Sequence, residues 1–149
     1  MQYQKGYKYK LVRDVGILVA MKPNQLAQTQ FLNLTAQGML IIRAGYTWDG
    51  VSGPVRDTKR NLKASLVHDA LYQLMRNGHL DHNRWREADE CFATELRLGG
   101  VSRFFTKMYM LGLKIAKGKH AHPDSKRTVY TISSHQPPTI TKQLARSLF

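Results

Sequence analysis

The chain of 149 residues carries 23 Lys and Arg against 10 Asp and Glu, a formal net charge of +13, and is 42% hydrophobic. A chain of this size can bury a core as a single domain, and no apolar run approaches the roughly 18 residues of a membrane span. The single cysteine excludes a disulfide within the chain. The polar start lacks the apolar segment of a secretory signal, so we expect synthesis in the cytoplasm.

The excess of positive charge predicts attraction to polyanions, namely nucleic acid, an anionic lipid surface or an acidic protein. The basic residues are spread along the chain, and no RNA-binding or zinc-finger motif accompanies them. Binding to nucleic acid therefore stays an alternative that rests on charge alone.

The first third of the chain is predicted to be β-structure. Residues 3–12 alternate between apolar and basic side chains, residues 15–20 form a short apolar run, and residues 39–43 are typical of a buried strand. Residues 30–34 are a weaker strand candidate. Together they predict a small antiparallel β element.

A glycine-rich loop follows at residues 45–54, with the sequence GYTWDGVSGP. Three glycines and one proline in ten residues exclude a regular element, and Asp49 and Ser52 supply polar side chains. Backbone groups freed by such a loop can line an ion or oxyanion site. A plain turn is the alternative.

Three helices are predicted after the loop, at about residues 58–78, 84–98 and 102–117. The third should turn an apolar stripe toward the core, formed by Phe105, Met108, Leu111, Gly112 and Ile115. Residues 118–149 contain three of the five prolines and one acid, which predicts a basic C-terminal arm outside a single domain of residues 1–117.

The acidic residues are concentrated in the predicted helices. Six of the ten lie between Asp69 and Glu95, against three basic residues. This cluster in so basic a chain indicates a cation or proton-transfer site, with an ordinary solvated helix face as the alternative. The short connection between the first two helices favours an antiparallel hairpin, which predicts Asp89 buried beside His68.

A catalytic group can be assigned within this hairpin. A neutral imidazole is the usual general base near pH 7, so His68 is the candidate base. Asp89 would accept a hydrogen bond from the second ring nitrogen, and Tyr72, one turn after His68, could orient Asp89. The alternative is that His68 is a structural residue with a satisfied hydrogen bond.

A metal site is the second prediction. Adjacent helical residues point about 100° apart, so Asp69 would not compete for His68 and can face the glycine-rich loop. With Asp49 and the backbone of Gly50, it could bind calcium, which would polarise a substrate carbonyl. Zinc at His79, Asp81 and His82 is a weaker alternative, since that spacing matches no common site.

The order and spacing of several motifs resemble a family of small phage and prophage proteins called a domain of unknown function. The similarity covers roughly residues 38–115. The matching positions are Gly45-Tyr46, Asp49-Gly50, Ser52, Pro54, His68-Asp69, Tyr72, Ala88-Asp89, Met108-Tyr109 and Gly112. Trp48 and Gly53 depart from the family pattern, and both lie in the loop.

A more distant resemblance links the chain to the viral-capsid branch of the secreted phospholipase A-two enzymes. It implies that His68 is the base, that Asp69 is a calcium ligand, and that Tyr72 and Asp89 support His68. The Tyr-x-Gly-x-Gly loop of those enzymes is not reproduced, because Val51 and Ser52 separate Gly50 from Gly53.

The expected fold is α+β: a small antiparallel β element, then three helices with a central His-Asp hairpin, then a basic arm. The resemblances imply a phage-encoded protein, incorporated in the tail or head-tail part of a virion, that hydrolyses an ester or amide at the cell envelope. The alternative is a non-enzymatic virion component whose basic surface and arm dock on neighbouring proteins or DNA.

Overall fold

The computed structural model describes residues 2–4, 7–51 and 56–123. These residues form an α+β fold, in which two small antiparallel sheets precede three helices. This arrangement confirms the predicted fold class. Two predicted loop residues, Ser52 and Pro54, and the predicted arm from residue 124 onward lie outside the described residues.

The strands form two sheets. One sheet has the order β1-β2-β7 and the other has the order β3-β6-β5-β4, with antiparallel pairing throughout. The bounds are β1 Gln2–Gln4, β2 Tyr7–Lys10, β3 Val15–Leu18, β4 Ala27–Gln28, β5 Leu32–Leu34, β6 Met39–Ile42 and β7 Thr47–Trp48. The stretch at residues 3–12, predicted as a single strand, is divided between β1 and β2, which pair with each other.

The second sheet contributes one face to the core. Leu32 and Leu34 of β5 lie opposite Ile42 and Leu40 of β6, and all four side chains are buried. Residues between them are less buried, as the period of two in a strand requires. The alternation of apolar residues therefore places this sheet with one face inward.

The glycine-rich stretch contains a short strand, although its composition predicted no regular element. Within β7, Trp48 pairs with Tyr9 and Thr47 pairs with Lys10. The prediction of a wholly irregular loop was wrong at these two residues. The reason is tertiary: the buried Trp48 ring packs 5.4 Å from the Tyr9 ring, which draws the start of the loop onto the edge of β2.

The helices lie close to their predicted positions: α1 is Lys59–Arg76, α2 is Trp85–Leu98 and α3 is Arg103–Ala116. A capping box begins α1, since Thr58 Oγ1 accepts from the Asn61 amide and Asn61 Oδ1 accepts from the Thr58 amide. None of the described helices is long and apolar enough to cross a membrane.

The predicted inward stripe of α3 was wrong. Its large apolar side chains are exposed, and the helix instead turns toward α2 the side formed by Thr106, Tyr109, Met110 and Leu113. Apolar residues occur on both sides of α3, so periodicity could not choose between them. The inward side carries Tyr109, whose hydroxyl accepts from Asn61 Nδ2 of α1 at 3.0 Å and whose ring packs on Phe92 of α2.

The first residues of the predicted arm pack on the domain. Ala121 is fully buried, and Arg76 donates to the His120 carbonyl at 3.2 Å. Gly118 has a φ of +66° and lies so close to the Trp85 ring that a Cβ there would collide with it. Residues 118–123 are therefore held against α1 and α2.

Candidate active site

The α1–α2 hairpin brings His68 beside Asp89. His68 Nε2 lies 2.8 Å from Asp89 Oδ1, and the Tyr72 hydroxyl donates to the same oxygen at 2.7 Å. The three residues meet because His68 and Tyr72 are one helical turn apart on α1, and α2 runs back alongside them. The predicted juxtaposition of His68, Tyr72 and Asp89 is present.

Asp89 is only 3% exposed. A buried carboxylate loses its hydration, which is costly unless hydrogen-bond donors replace the lost water. The Tyr72 hydroxyl supplies one such donor, and His68 Nε2 supplies a second when it carries a proton. Both distances are short, as is typical of bonds to a charged acceptor. The carboxylate and its two donors therefore form a structural unit in which each partner restrains the others.

The Tyr72 hydroxyl stays protonated beside this carboxylate. Burial raises the pKa of Tyr72 far above its usual range, and the hydrogen bond and negative charge of Asp89 raise the pKa further. The charge of Arg76 opposes this increase in pKa. Tyr72 is therefore a permanent donor to Asp89, as an orienting residue must be.

The second ring nitrogen of His68, Nδ1, is not used in the contact with Asp89. If Nε2–H donates to Asp89, the neutral ring carries its lone pair on Nδ1, which is the atom that could accept a proton. The His68 ring packs 4.1 Å from the Tyr72 ring and 5.2 Å from the Phe92 ring, measured between centroids. Its side chain is 12% exposed, so it is fixed in orientation and borders solvent.

The raised pKa of Tyr72 predicts a pH dependence of stability. The folded chain holds the Tyr72 proton to a higher pH than the unfolded chain, in which the pKa is the usual 10.0. The stability that this proton contributes to the fold is therefore complete below pH 10.0, and it is lost as the pH rises further and the unfolded chain ionises. Above that pH, we expect the free energy of unfolding to fall more steeply in the wild type than in Tyr72→Phe, by about 1.4 kcal/mol per pH unit. Urea titrations followed by circular dichroism measure both slopes, and equal slopes would contradict the assignment.

The negative charge of Asp69 acts on Tyr46, at the start of the glycine-rich loop. Tyr46 is completely buried, and its pKa is raised by this burial and then by the negative charge of Asp69, while the charge of Arg76 opposes the increase. Asp69 itself is partly buried. Asp69 is therefore close enough to act on a loop side chain. The carboxylate that contacts His68 and Tyr72 is that of Asp89 and not that of Asp69.

Asp57 holds the end of the loop by hydrogen bonds, and it was not among the predicted site residues. Asp57 Oδ1 accepts from the Val51 amide at 2.8 Å, and Oδ2 accepts from the Tyr9 hydroxyl at 2.9 Å. Gly50 has a φ of +82°, and a Cβ there would lie 2.6 Å from both Asp57 oxygens. Gly50 is thus required for the approach of this carboxylate. The position of Asp57, an acid directly between the loop and the first helix, could have indicated this role.

The predicted calcium ligands are only partly described. Asp49 is exposed, and Ser52 and Pro54 lie outside the described residues. In the described part of the chain, no three His, Cys, Asp or Glu side chains form a group able to hold a metal ion. Calcium takes six to eight oxygen ligands, so a site at Asp69 would depend mainly on carbonyl oxygens of the loop. Calcium at Asp69, Asp49 and Gly50 stays a prediction.

The structure also bears on the zinc set before α2 and on Cys91. The weaker zinc set is not assembled among the described residues, because Asp81 caps the Asn83 amide at 2.9 Å and the His82 ring packs on the His122 ring. Cys91 is buried, and burial raises the pKa of its thiol. Cys91 is therefore a core residue, in surroundings that do not favour a reactive thiolate.

Three of the motif residues on the helices, His68, Tyr72 and Asp89, form one hydrogen-bonded group. The negative charge of Asp69 acts on Tyr46 of the loop, whereas Met108 and Gly112 are exposed on α3. The resemblances to the phage family and to the capsid phospholipases stay predictions based on these motifs. No family model, curated protein or solved structure matches the chain.

Proposed function

We propose that the chain is a hydrolase in which His68 is the general base, acting on an ester or amide such as a phospholipid of the cell envelope. We further propose that it is phage-encoded and incorporated in a virion. The observation that carries the hydrolase proposal is the 2.8 Å contact between His68 Nε2 and a buried carboxylate that Tyr72 also holds. This contact leaves Nδ1 as the basic atom.

In the proposed reaction, Nδ1 of His68 takes a proton from water, and the resulting hydroxide attacks the substrate carbonyl. The negative charge of Asp89 stabilises the imidazolium that forms, and Tyr72 keeps the accepting oxygen in place. Asp69 and loop carbonyls would hold calcium, which polarises a carbonyl when bound. His68 then returns the proton to the leaving group.

An anionic lipid substrate is favoured by charge. The net charge of +13 attracts the chain to a negative surface, and each basic residue near such a surface adds to the attraction. Because the site lies on a helical hairpin and not on a disulfide framework, it needs no oxidising compartment for assembly.

The direct test is His68→Asn, with fluorescent fatty-acid release from phosphatidylglycerol vesicles measured in calcium and in chelator. We expect the release rate to fall about 10² to 10⁴-fold, the range typical of a lost general base. His79→Asn is the matched control because His79 is exposed in the loop before α2, and it should leave the rate unchanged. Melting curves by circular dichroism establish that both variants fold. Release that is unchanged in His68→Asn, or that the wild type lacks, would overturn the proposal.

A second candidate is a non-enzymatic virion component that binds neighbouring proteins or DNA. The small exposed fraction of His68, 12%, favours it, since a ring packed between Tyr72 and Phe92 can serve stability alone. This candidate predicts a fixed copy number in purified particles, and deletion of the chain after Gly118 should abolish incorporation. Normal incorporation of the shortened chain would contradict it.

A further inference from the structure

The outward side of α3 is an exposed apolar stripe. Five large side chains on this helix are between 52% and 73% exposed. They are Phe104, Phe105, Met108, Leu111 and Ile115. Successive helical positions differ by about 100°, so these residues fall within an arc of about 120° on one side of the helix. We call them the α3 apolar stripe.

The stripe is separate from the surface that holds α3 in the fold. Tyr109, Met110 and Leu113 pack against Phe92 and Leu96 of α2, on the other side of the helix. Gly112 lies inside the arc of the stripe, and a Cβ at Gly112 would meet no atom within 4 Å. The stripe is therefore not needed to dock α3 on α2. An exposed apolar surface of this kind indicates a binding partner.

Basic residues run along one edge of the stripe. Arg103, Lys107 and Lys114 fall within about 40° of one another around the helix, next to the arc of Leu111 and Phe104. Residues 96–123 contain six Lys and Arg and no Asp or Glu. The exposed side of α3 thus combines apolar and positively charged surface, with no acid in the surrounding sequence.

The basic edge argues against two other occupants of the α3 apolar stripe, a second copy of the chain and the chain's own C-terminal segment. In a second copy of the chain, the same basic edge would approach its own equivalent, which costs free energy. The C-terminal segment of residues 124–149 contains Lys126, Arg127, Lys142 and Arg146 against the single acid Asp124, so it carries the same sign of charge. The complementary occupant is anionic and has an apolar interior.

We propose that α3 docks in the plane of an anionic lipid surface. The α3 apolar stripe enters the boundary between headgroups and acyl chains, and Arg103, Lys107 and Lys114 contact lipid phosphates. A helix with Phe and Leu on one side and Lys and Arg beside them is typical of such interfacial binding. The proposal concerns attachment of the chain to lipid and does not depend on any chemistry at His68.

The test uses flotation of the full chain with vesicles of equal parts phosphatidylglycerol and phosphatidylcholine. Gly112→Glu places a carboxylate within the stripe, and Gly112→Leu adds apolar surface at the same position. Both residues favour a helix more than glycine does, and the site is open, so both variants should fold. We expect Gly112→Glu to abolish binding and Gly112→Leu to strengthen it.

Two further variants separate charge from apolar contact. The double variant Lys107→Gln, Lys114→Gln should bind about thirtyfold more weakly, because each cation near an anionic surface contributes roughly a factor of five. Leu18→Ser is the matched control, since Leu18 is an exposed apolar residue on β3, and it should bind as the wild type does. Vesicles of phosphatidylcholine alone should bind far less than the mixed vesicles.

The outcomes distinguish this proposal from the hydrolase proposal. His68→Asn should bind the mixed vesicles as the wild type does, even if it releases no fatty acid. Binding that survives Gly112→Glu, or that is equal on neutral vesicles, would overturn the proposal. A concentration-dependent dimer in analytical ultracentrifugation that Gly112→Glu abolishes, with no vesicle binding, would assign the stripe to a second copy and also overturn it.

Discussion

The Asp89→Ala protein is expected to lose about 3 to 5 kcal/mol of its free energy of unfolding. Removal of the carboxylate leaves the Tyr72 hydroxyl and His68 Nε2–H without their acceptor in a buried place. Each unsatisfied buried donor costs about 1 to 3 kcal/mol, and the lost side chain leaves a small cavity in addition. Urea unfolding followed by circular dichroism measures the loss.

Two control variants make this result specific. Glu90→Ala removes the neighbouring, exposed carboxylate of α2 and should change the free energy of unfolding by no more than about 0.5 kcal/mol. Asp89→Asn keeps one acceptor oxygen, so we expect a smaller loss of stability together with a loss of any activity that depends on the tautomer of His68. An Asp89→Ala protein as stable as the wild type would show that the pair contributes nothing to the fold.

Trp48→Ala is expected to reduce the free energy of unfolding by about 3 to 5 kcal/mol, as is usual for a large buried aromatic residue. Trp48 is fully buried, and its Nε1–H donates to Ser65 Oγ at 3.0 Å. The residue therefore joins β7 to α1 by both packing and a hydrogen bond. Denaturant titration of the variant measures the loss directly.

Two control variants test the contribution of Trp48 to the core and separate its packing from its hydrogen bond to Ser65. Phe104→Ala truncates an exposed aromatic residue of α3 and should change stability by no more than about 0.5 kcal/mol. Trp48→Phe keeps much of the packing, and Ser65 Oγ still donates to the Leu62 carbonyl, so its loss should be well below that of Trp48→Ala. Equal effects of Trp48→Ala and Phe104→Ala would refute the role of Trp48 in the core.

Trp48 also connects the core to the helix that carries His68. Its partner Ser65 precedes His68 by three residues, one helical turn, on α1. The departure from the phage-family pattern at Trp48 therefore falls on a core contact and not on a side chain free in the loop. In Trp48→Ala, we expect the start of the glycine-rich loop to lose its fixed position relative to His68.

Local sequence patterns predicted the helices, most of the strands and the His68–Asp89 pair. Helix ends are local, because Thr58 and Asn61 form a capping box within four residues. The pairing of His68 with Asp89 was predictable because a short connection restricts two helices to an antiparallel hairpin, and a carboxylate on a buried face needs a donor.

Three features depend on contacts between distant residues: the side of α3 that faces inward, the burial of Trp48 and the hydrogen bonds of Asp57. Apolar residues occur on both sides of α3, and the inward side is the one that packs on Phe92 and Leu96 and whose Tyr109 hydroxyl accepts from Asn61, 48 residues away. Trp48 and Asp57 both contact Tyr9, about 40 to 50 residues away in the chain. Local patterns report the period and the ends of an element, whereas its partner depends on contacts between distant residues, which periodicity does not encode.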